Sequence, residues 1–121
     1  MQTWEIVRVF TAIPRQPHDK LCICIDPGKA EVFFINSEPP RARRARLHAV
    51  EVSRHECHVV SHSSYIDTTD AVPMPTHEWV AALADSNRHL GRLSPTLIAR
   101  IQQAIRGHTQ LTAHQRRLLG V

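Results

Sequence analysis

The feature that most constrains this chain is a change of hydrophobic period at Pro73-Met74-Pro75. Before that point, short stretches of β-branched and aromatic residues alternate with turn residues. After it, apolar residues recur at three and four positions, the spacing of one helix face. Strands followed by helices, without a βαβ alternation, predict an α+β architecture built on a compact sheet or small barrel. A length of 121 residues with 42% hydrophobic and 21% charged residues suits one globular domain. The division expected within it is a barrel of five to six strands over about residues 1–72 and helices over about 76–119.

Six strands are predicted. Trp4–Phe10 is rich in β-formers and is broken by Pro14 and Pro17. Lys20–Ile25 and Glu31–Asn36 flank Asp26-Pro27-Gly28-Lys29, a hairpin turn, and both are nearly continuously apolar, as strands covered on two sides are. Leu47–Val52 alternates and reads as half-exposed. His58–Val60 and Tyr65–Thr68 read as two further strands around His62-Ser63-Ser64, and Glu38–Arg46 as the longest connection. In the helical part, Thr76 is expected to cap a helix through Trp79, Val80 and Leu83 that ends at Asp85-Ser86-Asn87, and Leu90-Gly91 to form a turn. Ser94-Pro95 presents an N-cap followed by Pro at the first helical position, and Leu97, Ile98, Ile101 and Ile105 then form one stripe up to Gly107. Thr112 caps a last helix carrying Leu118 and Leu119 and stopping at Gly120. Trp4 and Trp79 are assigned to the core.

Fifteen Lys and Arg against 11 Asp and Glu give a net charge of +4, and only Lys20 and Lys29 are lysines. Arg41, Arg43, Arg44 and Arg46 fall together after Pro39-Pro40. Arginine recognises phosphate through planar, two-pronged hydrogen bonds, so this segment is either an RNA-binding surface or a solvated loop. Cys22, Cys24 and Cys57 are an odd set. Cys22 and Cys24 share one strand face but lack the usual zinc-knuckle spacing, so they are assigned to core packing rather than to metal. No run is long enough to cross a bilayer, and Met1–Glu5 lacks a basic start leading into an apolar stretch, so a cytoplasmic protein is expected. No Gly-x-Ser-x-Gly elbow and no glycine-rich phosphate cradle occurs, which excludes the common hydrolase and nucleotide-loop readings. The helix opened by Ser94 carries too few basic groups near its start for a DNA recognition helix.

The order Lys20–Ile25, Val32–Ser37, Ser61–Thr68 and Leu90-Gly91-Arg92-Leu93-Ser94 resembles the PemK/MazF-like toxin family, most closely at Ile35-Asn36-Ser37 and at Leu90–Ser94. The resemblance implies an SH3-like barrel that dimerises, cleaves single-stranded RNA without a metal or other cofactor, and is held inactive by a cognate antitoxin protein. It places Ser37 at the family's Thr/Ser position and Asp67 near its acidic position. The family's Arg-Pro pair at the start of the second strand is here Asp19-Lys20, leaving Lys20, Arg15 or His18 to stabilise the phosphate.

Chemistry points to the same loop. Metal-free RNA cleavage needs a base near the 2′-hydroxyl, an acid at the leaving oxygen and a cation for the phosphate. His18 and Lys20 offer base and cation, Ser37 a hydrogen bond to a phosphate oxygen, and Asp67 an acid or base. Arg15, the four clustered arginines and His62 are the expected RNA contacts. Plainer roles stand beside these: a turn cap for Ser37, a self-satisfied serine-rich turn around His62, a strand-end residue for Asp67, and core packing rather than base stacking for Tyr65. Two other functions remain open: a non-catalytic relative that binds nucleic acid or protein through Arg41–Arg46, and a small protein-interaction module. The open faces of so small a barrel favour a homodimer.

Overall fold

The computed structural model describes all 121 residues, Met1–Val121. Its elements in chain order are β1 (Glu5–Thr11), β2 (His18–Asp26), β3 (Glu31–Asn36), α1 (Arg43–Leu47), β4 (Ala49–Val52), β5 (Ser64–Asp67), β6 (Val72–Pro73), α2 (Thr76–Ala84), a 3₁₀ turn (Ser86–Arg88), β7 (His89–Arg92), α3 (Pro95–Arg106) and α4 (Ala113–Leu119). The strands make one antiparallel sheet in the order β4-β5-β3-β2-β1-β7, with the short β6 beside the first residues of β3. The sheet curls into a half-barrel, and its end strands β4 and β7 do not pair with each other. The protein is therefore α+β.

Both faces at the middle of the sheet are covered, which explains the unbroken apolar runs of β2 and β3. On one face Ile23, Ile25, Phe33 and Ile66 pack with Leu97, Ile101 and Ile105 of α3 and Leu119 of α4. On the other, Val7, Val9, Cys22, Cys24 and Val32 pack with Trp79 and Ala82 of α2 and with Met74. Cys22 and Cys24 are thus packing residues, and Cys57 lies in the opposite core layer. Burial pushes the Cys22 and Cys24 thiols up to about 12, so both stay protonated at neutral pH. Trp4 and Trp79 are buried as expected.

The C-terminal helices follow their sequence signals closely. The Ser94 hydroxyl accepts the Leu97 N–H and Pro95 opens α3. At α4, Thr112 and Gln115 form a reciprocal capping box, and Gly120 takes the left-handed conformation (φ 79°) that ends the helix at little cost.

Elsewhere the structure departs from the sequence expectations. Leu90-Gly91 is not a turn: it lies within β7, which returns to pair with β1, and Gly91 at φ 96° supplies the irregular backbone where that register shifts. His58–Val60 forms no strand but turns that fold Cys57 and Val60 inward. The Arg-rich connection contains the single-turn α1, held by the buried Ala45. Leu47 and His48 belong to the end of α1 rather than to β4. Thr76 is the first helical residue and not the cap, a place taken by Pro75, whose side chain accepts nothing.

Candidate functional site

β2 is buried at one end and bare at the other. Its last five residues are enclosed, Lys20 and Leu21 are half-buried, and His18 and Asp19 are exposed. Because β2 and β3 run antiparallel, with Leu21 opposite Ile35, the bare start of β2 lies beside the end of β3, where Asn36 leads into the exposed Ser37. Two hollows open at this end of the two central strands. One, of about 410 Å³, is lined by Arg8, Ser61, His62 and Ser64 among others. The other, of about 470 Å³, is lined by Asn36, Pro39, Pro40 and Arg41. His18, Lys20 and Ser37 line both. Three residues expected to carry the chemistry therefore share one rim, and His62 and Arg41 each face it from one side.

Each of these groups has a defined state. The Lys20 ammonium donates to the Asn36 Oδ1 and stands 5.1 Å from the centre of the Phe34 ring. Burial lowers its pKa from the ordinary lysine value, against a weaker opposing influence of Cys22. The His18 Nδ1 lies 2.8 Å from the Gln16 carbonyl. A carbonyl only accepts, so the proton sits on Nδ1 and the neutral ring keeps its Nε2 lone pair free. His62 repeats the arrangement, its Nδ1 lying 3.0 Å from the Ser63 carbonyl. The Ser64 hydroxyl donates to the His62 carbonyl at 3.1 Å, so this turn does satisfy part of its own backbone. The Ser37 hydroxyl is exposed and engages no other group of the chain.

Two neighbours were not singled out in the sequence. Arg8 lines the smaller hollow, with its guanidinium free of ion pairs. Its signal was the alternation of β1, in which Ile6, Arg8 and Phe10 share a face opposite to Val7 and Val9. Arg88 binds Asp19 through a 2.8 Å ion pair and donates to the Arg8 carbonyl at 3.3 Å. Nothing local in the sequence marks that pairing, which spans 69 positions. Asp19 itself lines the smaller hollow, where this ion pair balances its charge.

The remaining candidates lie apart. Asp67 ends β5 opposite Ala49, lines neither hollow, and accepts the Thr69 N–H and hydroxyl at 2.9 and 2.6 Å. Arg15 is exposed in the loop between β1 and β2, away from both hollows. Arg43, Arg44 and Arg46 are exposed on α1 without ion pairs, a basic ridge just beyond Arg41. Tyr65 pairs with Asn36 on β5 and is half-buried.

No family model matches the chain, and no curated protein matches it either.

Proposed function

We propose that the protein is an endoribonuclease of the PemK/MazF-like toxin type, cleaving single-stranded RNA by transphosphorylation without a metal. The observation that carries this reading is the shared rim, where an imidazole with a free Nε2, a half-buried ammonium and an unengaged hydroxyl meet at the junction of two hollows. These groups are what metal-free attack of a 2′-hydroxyl on its neighbouring phosphorus requires: His18 takes the proton, Lys20 offsets the charge that builds on phosphorus, and Ser37 donates to a non-bridging oxygen. Arg8 supplies a second cation from β1, compensating for the acidic Asp19 at the start of β2. Arg41 and the ridge of Arg43, Arg44 and Arg46 lead the RNA backbone away from the rim. On this reading the half-barrel is an SH3-like barrel variant and the chain works in the cytoplasm as a homodimer. A cognate antitoxin covers the same rim.

A second reading, a barrel that binds RNA without cutting it, is favoured by one observation: the smaller hollow carries the Asp19 carboxylate, paired with Arg88, at the start of β2, where the family resemblance expects an arginine.

The deciding experiment is incubation of a long single-stranded RNA with the purified chain in EDTA. Discrete fragments are expected, lost on His18→Ala, Lys20→Ala or Ser37→Ala with unchanged melting. Intact RNA that is retained in a gel shift would instead establish the binding barrel.

A further inference from the structure

We propose that His62 is the second proton-transfer group of the rim and, with His18, completes an acid–base pair. This rests on the endoribonuclease reading above and assigns His62 a part in the reaction rather than in RNA binding alone.

The argument is the like state of two unlike residues. His18 belongs to β2, and His62 to the loop between β4 and β5, yet both line the smaller hollow. Each spends its Nδ1–H on a backbone carbonyl beside it, Gln16 at 2.8 Å for His18 and Ser63 at 3.0 Å for His62. Each therefore keeps Nε2 as its one unused nitrogen, able to accept a proton when neutral and to give one when charged. The Ser64 hydroxyl holds the His62 carbonyl, so the loop presenting this ring is tied to the start of β5. Arg8, Lys20 and Ser37 line the same hollow; Asp19 lines it too but is paired with Arg88 at 2.8 Å, so the balance of the lining suits a phosphate. Its volume, about 410 Å³, falls within the ~300–1,000 Å³ of small-ligand sites.

One imidazole cannot serve both ends of the reaction in a single step. The neutral ring takes the 2′-hydroxyl proton as O2′ forms its bond to phosphorus. The P–O5′ bond breaks, and the other ring, entering as imidazolium, gives its Nε2 proton to O5′. The products are a 2′,3′-cyclic phosphate and a 5′-hydroxyl. No electrons are exchanged with another reagent, and the two rings leave with their protonation states interchanged.

The test compares the wild-type chain with His18→Asn and His62→Asn on two RNAs, one ordinary and one with sulfur in place of the bridging 5′ oxygen at the cleaved bond. A thiol, with a pKa of about 8.5 in the cysteine reference, departs as thiolate without help from an acid. On ordinary RNA, His62→Asn is expected to lower kcat by about 10²–10⁴-fold. On the sulfur substrate His62→Asn, which removes the acid, is expected to regain most of its loss, and His18→Asn, which removes the base, to regain none; rescue of His18→Asn instead would keep the pair but exchange its two roles. Rescue of neither, or a His62→Asn effect confined to KM, overturns the pair and returns His62 to RNA binding. A His62→Asn chain that cleaves ordinary RNA like the wild type overturns the pair while leaving the endoribonuclease reading intact. A wild type that cleaves nothing overturns both. His62 is exposed, so its variants are expected to melt like the wild type, and His62→Gln provides an independent check on folding.

Discussion

The two ends of the β2–β3 ribbon are made of the same strands and do opposite things. At the inner end, Cys22–Ile25 and Val32–Phe33 are sealed between helices on both faces, and even the titratable thiols are silenced there. At the outer end β2 runs on past its last pairing with β3, Leu21 with Ile35, still paired with β1, and places the exposed His18 and the half-buried Lys20 beside Asn36 and the exposed Ser37. What differs is the cover, not the strand. The inner end fixes where the ribbon sits, and the outer end uses that fixed position to hold polar groups in register. Lys20 lies between them, enough enclosed for its pKa to fall yet still within reach of both hollows. Stability and chemistry should therefore separate along one hairpin.

The largest expected effect is on the inner end. Ile101 of α3 is fully buried against the sheet, and Ile101→Ala deletes methylene and methyl groups while leaving a cavity that close-packed neighbours cannot fill. The loss should be about 2–5 kcal/mol of unfolding free energy, measured by urea denaturation. Ser37→Ala, on the exposed rim, should change the same measurement by less than about 0.5 kcal/mol. Equal losses at the two positions would erase the distinction between the ends.

Next comes the reverse pattern at Arg8. Its guanidinium is unpaired and faces the smaller hollow, so Arg8→Gln should cost little stability but lower cleavage by about 10²–10³-fold, the range for removing one charge-stabilising donor. Single-turnover kinetics on a short RNA would measure it. A loss expressed in KM alone would make Arg8 a backbone-binding residue with no part in stabilising the transition state.

The inner end was also the more legible in sequence. The Pro27-Gly28 turn between two apolar runs specified the hairpin, and Ser94-Pro95 with the Leu97–Ile105 stripe specified α3, because these signals are local and physically sufficient. β7 escaped because four residues containing a glycine have no alternation to read, and its strand character comes wholly from pairing with β1. The Arg-rich segment hid α1, since its one anchoring residue is a single alanine, Ala45. At the outer end, His18, Lys20 and Ser37 could be picked out by residue type. That they meet depends on β2–β3 register, which the hairpin implied. The place of His62 beside them depends on a loop path no local signal describes, and the Arg88–Asp19 pair on a contact across the fold.

The smallest expected effect sharpens the comparison by pH. His108 is a buried imidazole far from the rim in its bonding: its Nε2 lies 3.2 Å from the Thr68 hydroxyl oxygen, and that hydroxyl donates to the His48 carbonyl at 2.8 Å. Nε2 must then carry the proton, and Nδ1 accepts the Gln110 N–H at 3.2 Å. Charging the ring would forfeit that acceptor. Burial first, then the His48 ring 5.0 Å away and the Arg116 guanidinium, lower the His108 pKa below its ordinary value, while Thr68 and the Asp67 carboxylate oppose them. The folded chain therefore binds fewer protons at this site than the unfolded chain. Its cost is absent above the unfolded value of about 6.5, grows as pH falls below it, and levels off once pH passes the lowered folded value. The slope cannot exceed about 1.4 kcal/mol per pH unit for one proton. Melting curves between pH 7.5 and 5 should thus fall more steeply for the wild type than for His108→Gln, while the pH dependence of RNA cleavage stays the same in both. If His108→Gln instead reshaped the cleavage profile and left the melting slope alone, proton traffic would link the two ends of the sheet, and the separation argued from β2 would fail.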